Sequence, residues 1–147
     1  MLHVAADRDL DSQAMIPAFD DRGYLPPGVH SASLDEIADR FGRDTELRRV
    51  QMDSLRWLVD QARVAGIARV IVNGSFVTDA LEPNDVDCLL LAPPDLGPDD
   101  PALAELLTDL PFISMQVVDQ SGLDIFVNQF FATDRDAIPK GMIEIQL

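Results

Sequence analysis

Cysteine is almost missing from this chain. Cys88 stands alone, so neither an intrachain disulfide nor a cysteine-based zinc cluster can form. Long apolar runs are missing too: no stretch approaches the roughly 20 residues a membrane helix requires. The opening stretch, Met1 to Gln13, is acidic and polar and lacks the basic and apolar regions of a secretory signal. These absences set the expectation of a soluble, cytoplasmic protein with no membrane association. Basic residues are scarce as well, with 11 Lys and Arg against 26 Asp and Glu and a formal net charge of −15. Tight binding of a nucleic-acid backbone relies on Lys and Arg neutralising phosphates, so nucleic acid fits poorly as a tightly held partner. A basic protein partner, or a small substrate delivered with a cation, suits this surface better.

What is present suffices for a folded domain: 147 residues, of which 47% are hydrophobic, is the size of one domain with its own core. Residues 1–15 show no periodicity and are expected to be a flexible tail, leaving 16–147 as a single domain. Residues 16–30 carry an Asp21-Arg22-Gly23 turn and a Pro26-Pro27-Gly28 break, which suggest an ordered arm. Ser33 with Glu36 forms a capping-box pattern ahead of a short helix, Leu34 to Phe41, that stops at Gly42. A longer helix follows, capped by Asp44 or Thr45 and ending near Ala65-Gly66, with Leu47, Val50, Leu55, Leu58 and Val59 at near-helical spacing. Trp57 on it reads as a core or interface anchor. The period then changes. Ala68 to Val72 reads as a buried strand, Ser75 to Leu81 as a turn or short helix, and Val86 to Leu91 as a second strand. A helix is expected from Pro101 to Leu110. Phe112 to Val118 and Leu123 to Val127 read as two strands of a hairpin around Asp119-Gln120-Ser121-Gly122, and Met142 to Leu147 as a final strand. The fold class expected is α/β (α+β), a mixed sheet flanked by helices.

The stretch Val70 to Leu91, VIVNGSFVTDALEPNDVDCLLL, carries the chemistry. Alternation along a strand turns Asp85 and Asp87 to one face and Val86 and Cys88 to the other. Two carboxylates side by side repel one another, and a divalent cation removes the repulsion; hard oxygen donors suit Mg²⁺ or Mn²⁺. Gly74 lets backbone approach a ligand closely, and Ser75 adds a hydroxyl donor. Phosphates at Gly74-Ser75 and a cation at the two carboxylates together make a site for a nucleoside triphosphate.

A strand, Gly74-Ser75, a gap of about ten residues and Asp85-Val86-Asp87 on the next strand resemble the DNA polymerase beta-type nucleotidyltransferase superfamily. The likeness extends to the minimal nucleotidyltransferases of bacterial toxin–antitoxin pairs. Leu25 to His30, the pair Phe41-Gly42 and Gly74 to Asp87 are also similar to a group of small bacterial proteins of unassigned activity. The resemblance implies a nucleotidyltransferase-like palm and a Mg²⁺-dependent enzyme moving a nucleoside monophosphate from a triphosphate to an acceptor, such as a partner toxin protein or an RNA. It implies that Asp85 and Asp87 hold a metal pair, that Gly74 and Ser75 bind the β- and γ-phosphates, and that a third carboxylate, Asp124, completes the metal site from a later strand. After Gly74-Ser75 the superfamily pattern has a basic residue, whereas here the stretch is Phe76-Val77-Thr78-Asp79. A fold of this type that grips a basic, toxin-like protein without catalysis is the alternative that the net charge and the missing basic residue favour.

Other chemistry-bearing residues have plainer readings. Asp119 reads as a turn residue, His30 as a hydrogen-bonded structural side chain, and Cys88 as core. Arg48, Arg49 and Arg56 read as a solvated helix face.

Overall fold

Ser33 opens the first helix as its spacing from Glu36 predicts. In the computed structural model, which describes residues 16–147 apart from Pro98, Leu107, Asp109 and Phe131, Ser33 Oγ accepts from the Glu36 N–H at 3.1 Å and Glu36 Oε1 accepts from the Ser33 N–H at 3.1 Å. The reciprocal pair satisfies two donors that a helix start leaves open. The expected tail, residues 1–15, lies outside the described residues.

Strand β1 (Gly28–Ala32) precedes this helix, α1 (Leu34–Phe41). The arm reading of residues 16–30 did not foresee a strand beginning at Gly28. Helix α2 (Glu46–Ala65) is capped by Thr45, whose side chain accepts from the Arg48 N–H, and it ends at Gly66 in the left-handed conformation (φ 74°) that glycine adopts without a Cβ clash. Then come β2 (Arg69–Asn73), a short 3₁₀ turn over Ser75–Val77, β3 (Val86–Leu91), α3 (Pro101–Leu106), β4 (Ile113–Val118), α4 (Gln120–Ile125) running into a π-helical turn at Phe126–Phe130, and β5 (Gly141–Ile145).

The strands form one five-stranded mixed sheet in the order β1-β5-β2-β3-β4. β1 pairs with β5 and β3 with β4 in parallel; β2 is antiparallel to both β5 and β3. The sheet has the mixed, helix-flanked α/β character that the sequence suggests. Alternation assigns its faces. Val70, Val72, Val86, Cys88, Leu90, Ile143 and Ile145 turn to one side and bury against Ile37 and Phe41 of α1, Leu55, Leu58, Val59 and Ala62 of α2, and Leu106 of α3. Ile71, Leu89 and Met142 turn to the other side, where Leu123 of α4 covers them.

Two expectations need correction here. Leu123 to Val127 is helical, and no hairpin joins it to β4. β4 lies parallel to β3, and Asp119 Oδ1 accepts from the Gly122 N–H at 2.8 Å, capping α4. Leu123, Phe126 and Val127 stand at the i, i+3, i+4 spacing of one helix face and pack together. The β-branched Ile125 and Val127 suggested a strand; burial on a helical face overrides that preference. The apolar stripe of α2 matches the expected one at Leu55, Leu58 and Val59 but not throughout. Val50 and Trp57 are exposed, so Trp57 is no core anchor, while Arg48 and Gln51 are buried.

Candidate functional site

α4 covers only part of its face of the sheet. At the end of β3 that carries Asp87, a cavity of about 930 Å³ opens, and it brings Gly74, Ser75, Asp85 and Asp87 together. Gly74 follows the last residue of β2, and Asn73 pairs across the sheet with Asp87. The Asp87 carboxylate lies directly against Gly74: a Cβ built there would stand 2.2 Å from Asp87 Oδ2, and the φ of Gly74 is +82°. The backbone conformation calls for glycine at this point, and any Cβ would also displace the Asp87 carboxylate.

Helix α2 holds the loop that follows Gly74. Arg48, 3% exposed, donates to the carbonyls of Phe41 at 3.0 Å, Phe76 at 2.8 Å, Thr78 at 2.9 Å and Ala80 at 3.1 Å. Gln51 Nε2 donates to the Pro83 carbonyl at 2.6 Å. Arg48 is therefore a buried clamp on the segment between Ser75 and Asp85, not part of a solvated basic face. From the other side, the arm reaches the same segment through the Gly23 carbonyl, which accepts from the Asp79 N–H at 3.0 Å.

The electrostatics of the cavity are those of an acidic site with an embedded cation. Asp87 is half-buried, and its pKa is raised, first by burial and then by the charge of Asp85, with Lys140 opposing. The pKa of Lys140 is lowered by burial, with Asp87 and Asp134 opposing. Lys140 is the only lysine in the chain; it lines the cavity beside the carboxylates. Asp134 is held below the usual carboxylate range, first by the Ile138 N–H and then by the Tyr24 hydroxyl. That hydroxyl donates to Asp134 Oδ2 at 2.8 Å, tying the arm to the loop that leads to Lys140.

Asp124 does not join this group. Its Oδ1 accepts from Gln120 Nε2 at 2.9 Å on α4 itself, and it is not among the residues lining the cavity. Its charge acts on Arg69, whose pKa is raised first by hydrogen-bonded Glu144 and less by Asp124. Arg69 pairs with Leu91, at the far end of β3 from Asp87, about 13 Å away at the rise of a strand. Among the described residues, no group of three or more His, Cys, Asp or Glu side chains is arranged to hold a metal ion. The three-carboxylate arrangement therefore gives way to two carboxylates, because the segment that carries Asp124 is helical.

The plainer readings stand on their own contacts. His30 Nε2 is 2.7 Å from the Pro26 carbonyl, and Cys88 is buried with its thiol pKa pushed far up by burial. Asn73, Asp134, Tyr24 and Lys140 are site residues that the sequence reading missed. Lys140 reaches the cavity from the position just before β5. A lone lysine in so acidic a chain was a signal available in the sequence.

Does a divalent cation fit here? Asn73 is 4% exposed and its Oδ1 has no hydrogen-bond partner. Asn73 lines the same cavity as Asp85 and Asp87, and the buried oxygen needs a donor or a cation. A hard cation satisfies such a donor set, so the residues fit one.

A mixed α/β domain with a carboxylate-lined, glycine-floored cavity at the end of its central strands is the class these features define. The chain belongs to DUF6932, a family of unknown function, which matches residues 17–146. No curated protein and no solved structure matches it significantly. Among the described residues no helix is long and apolar enough to cross a membrane.

Proposed function

We propose that the domain is a Mg²⁺-dependent nucleotidyltransferase that moves a nucleoside monophosphate from a nucleoside triphosphate to an acceptor hydroxyl. The observation that carries this reading is the meeting of Gly74-Ser75, the Asp85–Asp87 pair and Lys140 on one cavity. Asp85, Asp87 and Asn73 are the residues that would hold Mg²⁺ or Mn²⁺, which when bound supplies positive charge to the phosphate oxygens. Gly74 leaves room for phosphate against the backbone, and the Ser75 hydroxyl donates to a phosphate oxygen. Lys140 offsets the charge of the triphosphate and of the leaving pyrophosphate. Arg48 keeps the Gly74–Ala80 loop in shape by holding its carbonyls. The acceptor oxygen bonds to the α-phosphorus, the bond to the bridging oxygen breaks, pyrophosphate leaves, and the hydroxyl proton passes to a cavity carboxylate.

The cytoplasm, with its nucleoside triphosphates, is the compartment this reading implies. A partner toxin protein or an RNA in a toxin–antitoxin or defence setting is the acceptor class it carries. Incubation with labelled nucleoside triphosphates, Mg²⁺ and cell extract tests it. The expected result is label transfer that Asp85→Ala and Asp87→Ala each abolish; transfer that persists in both variants refutes the assignment.

The position of Asp124 outside the cavity supports a second reading, a non-catalytic module that grips a basic partner protein. Calorimetry decides between them, since this module shows no Mg²⁺ or Mn²⁺ binding even with nucleotide present.

A further inference from the structure

We propose that the site takes a single divalent cation, with Asn73 Oδ1 as the third protein oxygen beside the carboxylates of Asp85 and Asp87. This rests on the cation-dependent reading above and specifies both the donor set and the number of ions.

The first ground is Asn73 itself. It is the last residue of β2, and it lies directly opposite Asp87 in the antiparallel pair. Side chains so paired share a face of the sheet, with Cβ atoms about 5 Å apart. Asn73 is 4% exposed, it is among the residues lining the cavity, and its Oδ1 is one of three buried side-chain atoms without a hydrogen-bond partner among the described residues. Buried polar atoms are nearly always paired. An amide oxygen can be satisfied only by a donor or a cation, and a carboxylate in its ionised form is an acceptor alone.

The second ground is charge. Four carboxylates line the cavity, those of Asp79, Asp85, Asp87 and Asp134, and two basic groups, Arg135 and Lys140. Their formal sum is −2, which one divalent cation cancels. A third carboxylate in place of Asn73 would leave a net negative cavity after one ion had bound, and would call for a second. With a neutral amide as third donor, one ion brings the lining to neutrality. Lys140 then faces an incoming phosphate without an uncompensated carboxylate competing for it.

The competing explanation for Asn73 is structural: a buried amide that serves the end of β2, or one that accepts from Lys140. Substituting carboxylate for amide separates the two. Asp at this position adds a charged donor to a cation site and tightens it, whereas it adds only repulsion at a structural amide beside Asp87.

The experiment is calorimetric titration of the full chain with MnCl₂, alone and with ATP, on the unmodified protein and on Asp87→Asn, Asn73→Leu and Asn73→Asp. Urea melts in EDTA establish that each variant is folded. With Mn²⁺ alone, the unmodified protein is expected to bind one ion per chain. Asp87→Asn should abolish binding, Asn73→Leu should weaken it at least tenfold, and Asn73→Asp should tighten it severalfold. If Asn73→Leu fails to fold, the tightening in Asn73→Asp decides. One-ion binding that Asp87→Asn abolishes but that is unchanged by both Asn73 substitutions overturns this inference and leaves the proposed function standing. Two ions per chain without nucleotide overturns it likewise. No Mn²⁺ binding by the unmodified protein, with or without ATP, overturns both.

Discussion

Replacing Arg48 by methionine removes the clamp between α2 and the cavity loop while keeping a long apolar stem. All five guanidinium N–H groups are used, on four carbonyls, and among the described residues no carboxylate pairs with the group directly. Two of those bonds, to Phe41 and Phe76, are buried, and their carbonyls have no route to water once the donor is gone. Leaving a buried acceptor unsatisfied costs about 1–3 kcal/mol. The carbonyls of Thr78 and Ala80 are only partly buried and turn to solvent at less cost. Release of the guanidinium's own desolvation offsets part of the loss. The net destabilisation is about 3–4 kcal/mol, a large share of the roughly 5–15 kcal/mol that holds a domain together. For a chain of this size the melting midpoint should fall by about 6–16 °C, at ~2–4 °C per kcal/mol. The control is Arg49→Met on the same helix turn, whose exposed bond to the Arg43 carbonyl makes the change worth no more than about 0.5 kcal/mol. Calorimetric melts of both variants are the assay. Arg48→Met within about 1 kcal/mol of Arg49→Met would refute the idea that this side chain shapes the loop.

Asp87→Asn should stabilise the protein at neutral pH in EDTA. Burial and then Asp85 hold the folded-state pKa of Asp87 above its ordinary value of 3.8, so ionisation is harder in the folded chain. Stability is full below the ordinary value and declines as pH rises through the folded one, and the variant escapes that decline; urea melts across pH that run parallel for both proteins would contradict it. Asp124→Asn should leave Mn²⁺ affinity within about twofold of the parent, below ~0.4 kcal/mol, because the carboxylate is engaged with Gln120 on α4. A tenfold weakening by calorimetry would restore Asp124 to the metal site. Cys88 should resist a thiol reagent in the folded protein, since it is 1% exposed with its thiol pKa raised by burial. Labelling at native rates close to those in guanidinium would show the core to be open.

Local physics wrote much of this fold into the sequence. The Ser33–Glu36 capping box, the Thr45 cap, Gly66 and the alternation of Val86 to Leu91 all act within a few residues, and each lands where its chemistry demands. Asp85, Asp87, Gly74 and Ser75 were legible for the same reason, being close in sequence and joined by one strand pair. What escaped depended on distance along the chain. Lys140 and Asp134 reach the cavity only because β5 inserts beside β2. Arg48 and Gln51 look like surface residues until the loop carbonyls they bind are placed over them. Asp124 escapes because the five residues Leu123 to Val127, apolar but for Asp124, satisfy helix and strand patterns alike, and tertiary burial makes the choice.

The position of β5 in the sheet also governs when the domain can assemble. Its parallel partner β1 has no other strand neighbour in the sheet order, and Gly28 meets Gly141 only after roughly 110 intervening residues have been made. On a ribosome β1 is therefore made long before its partner, and β2 before the strand that covers one of its edges. Contacts this far apart in sequence make for slow closure and a long exposure of strand edges to other chains. A chain ending before Gly141 should show no hydrogen-exchange protection in β1 while retaining it in α2, and protection of both would mean that the sheet does not need its last-made strand. Late insertion of that strand also sets Lys140 beside Asp87, so the acidic cavity acquires its lysine in the same event that completes the sheet.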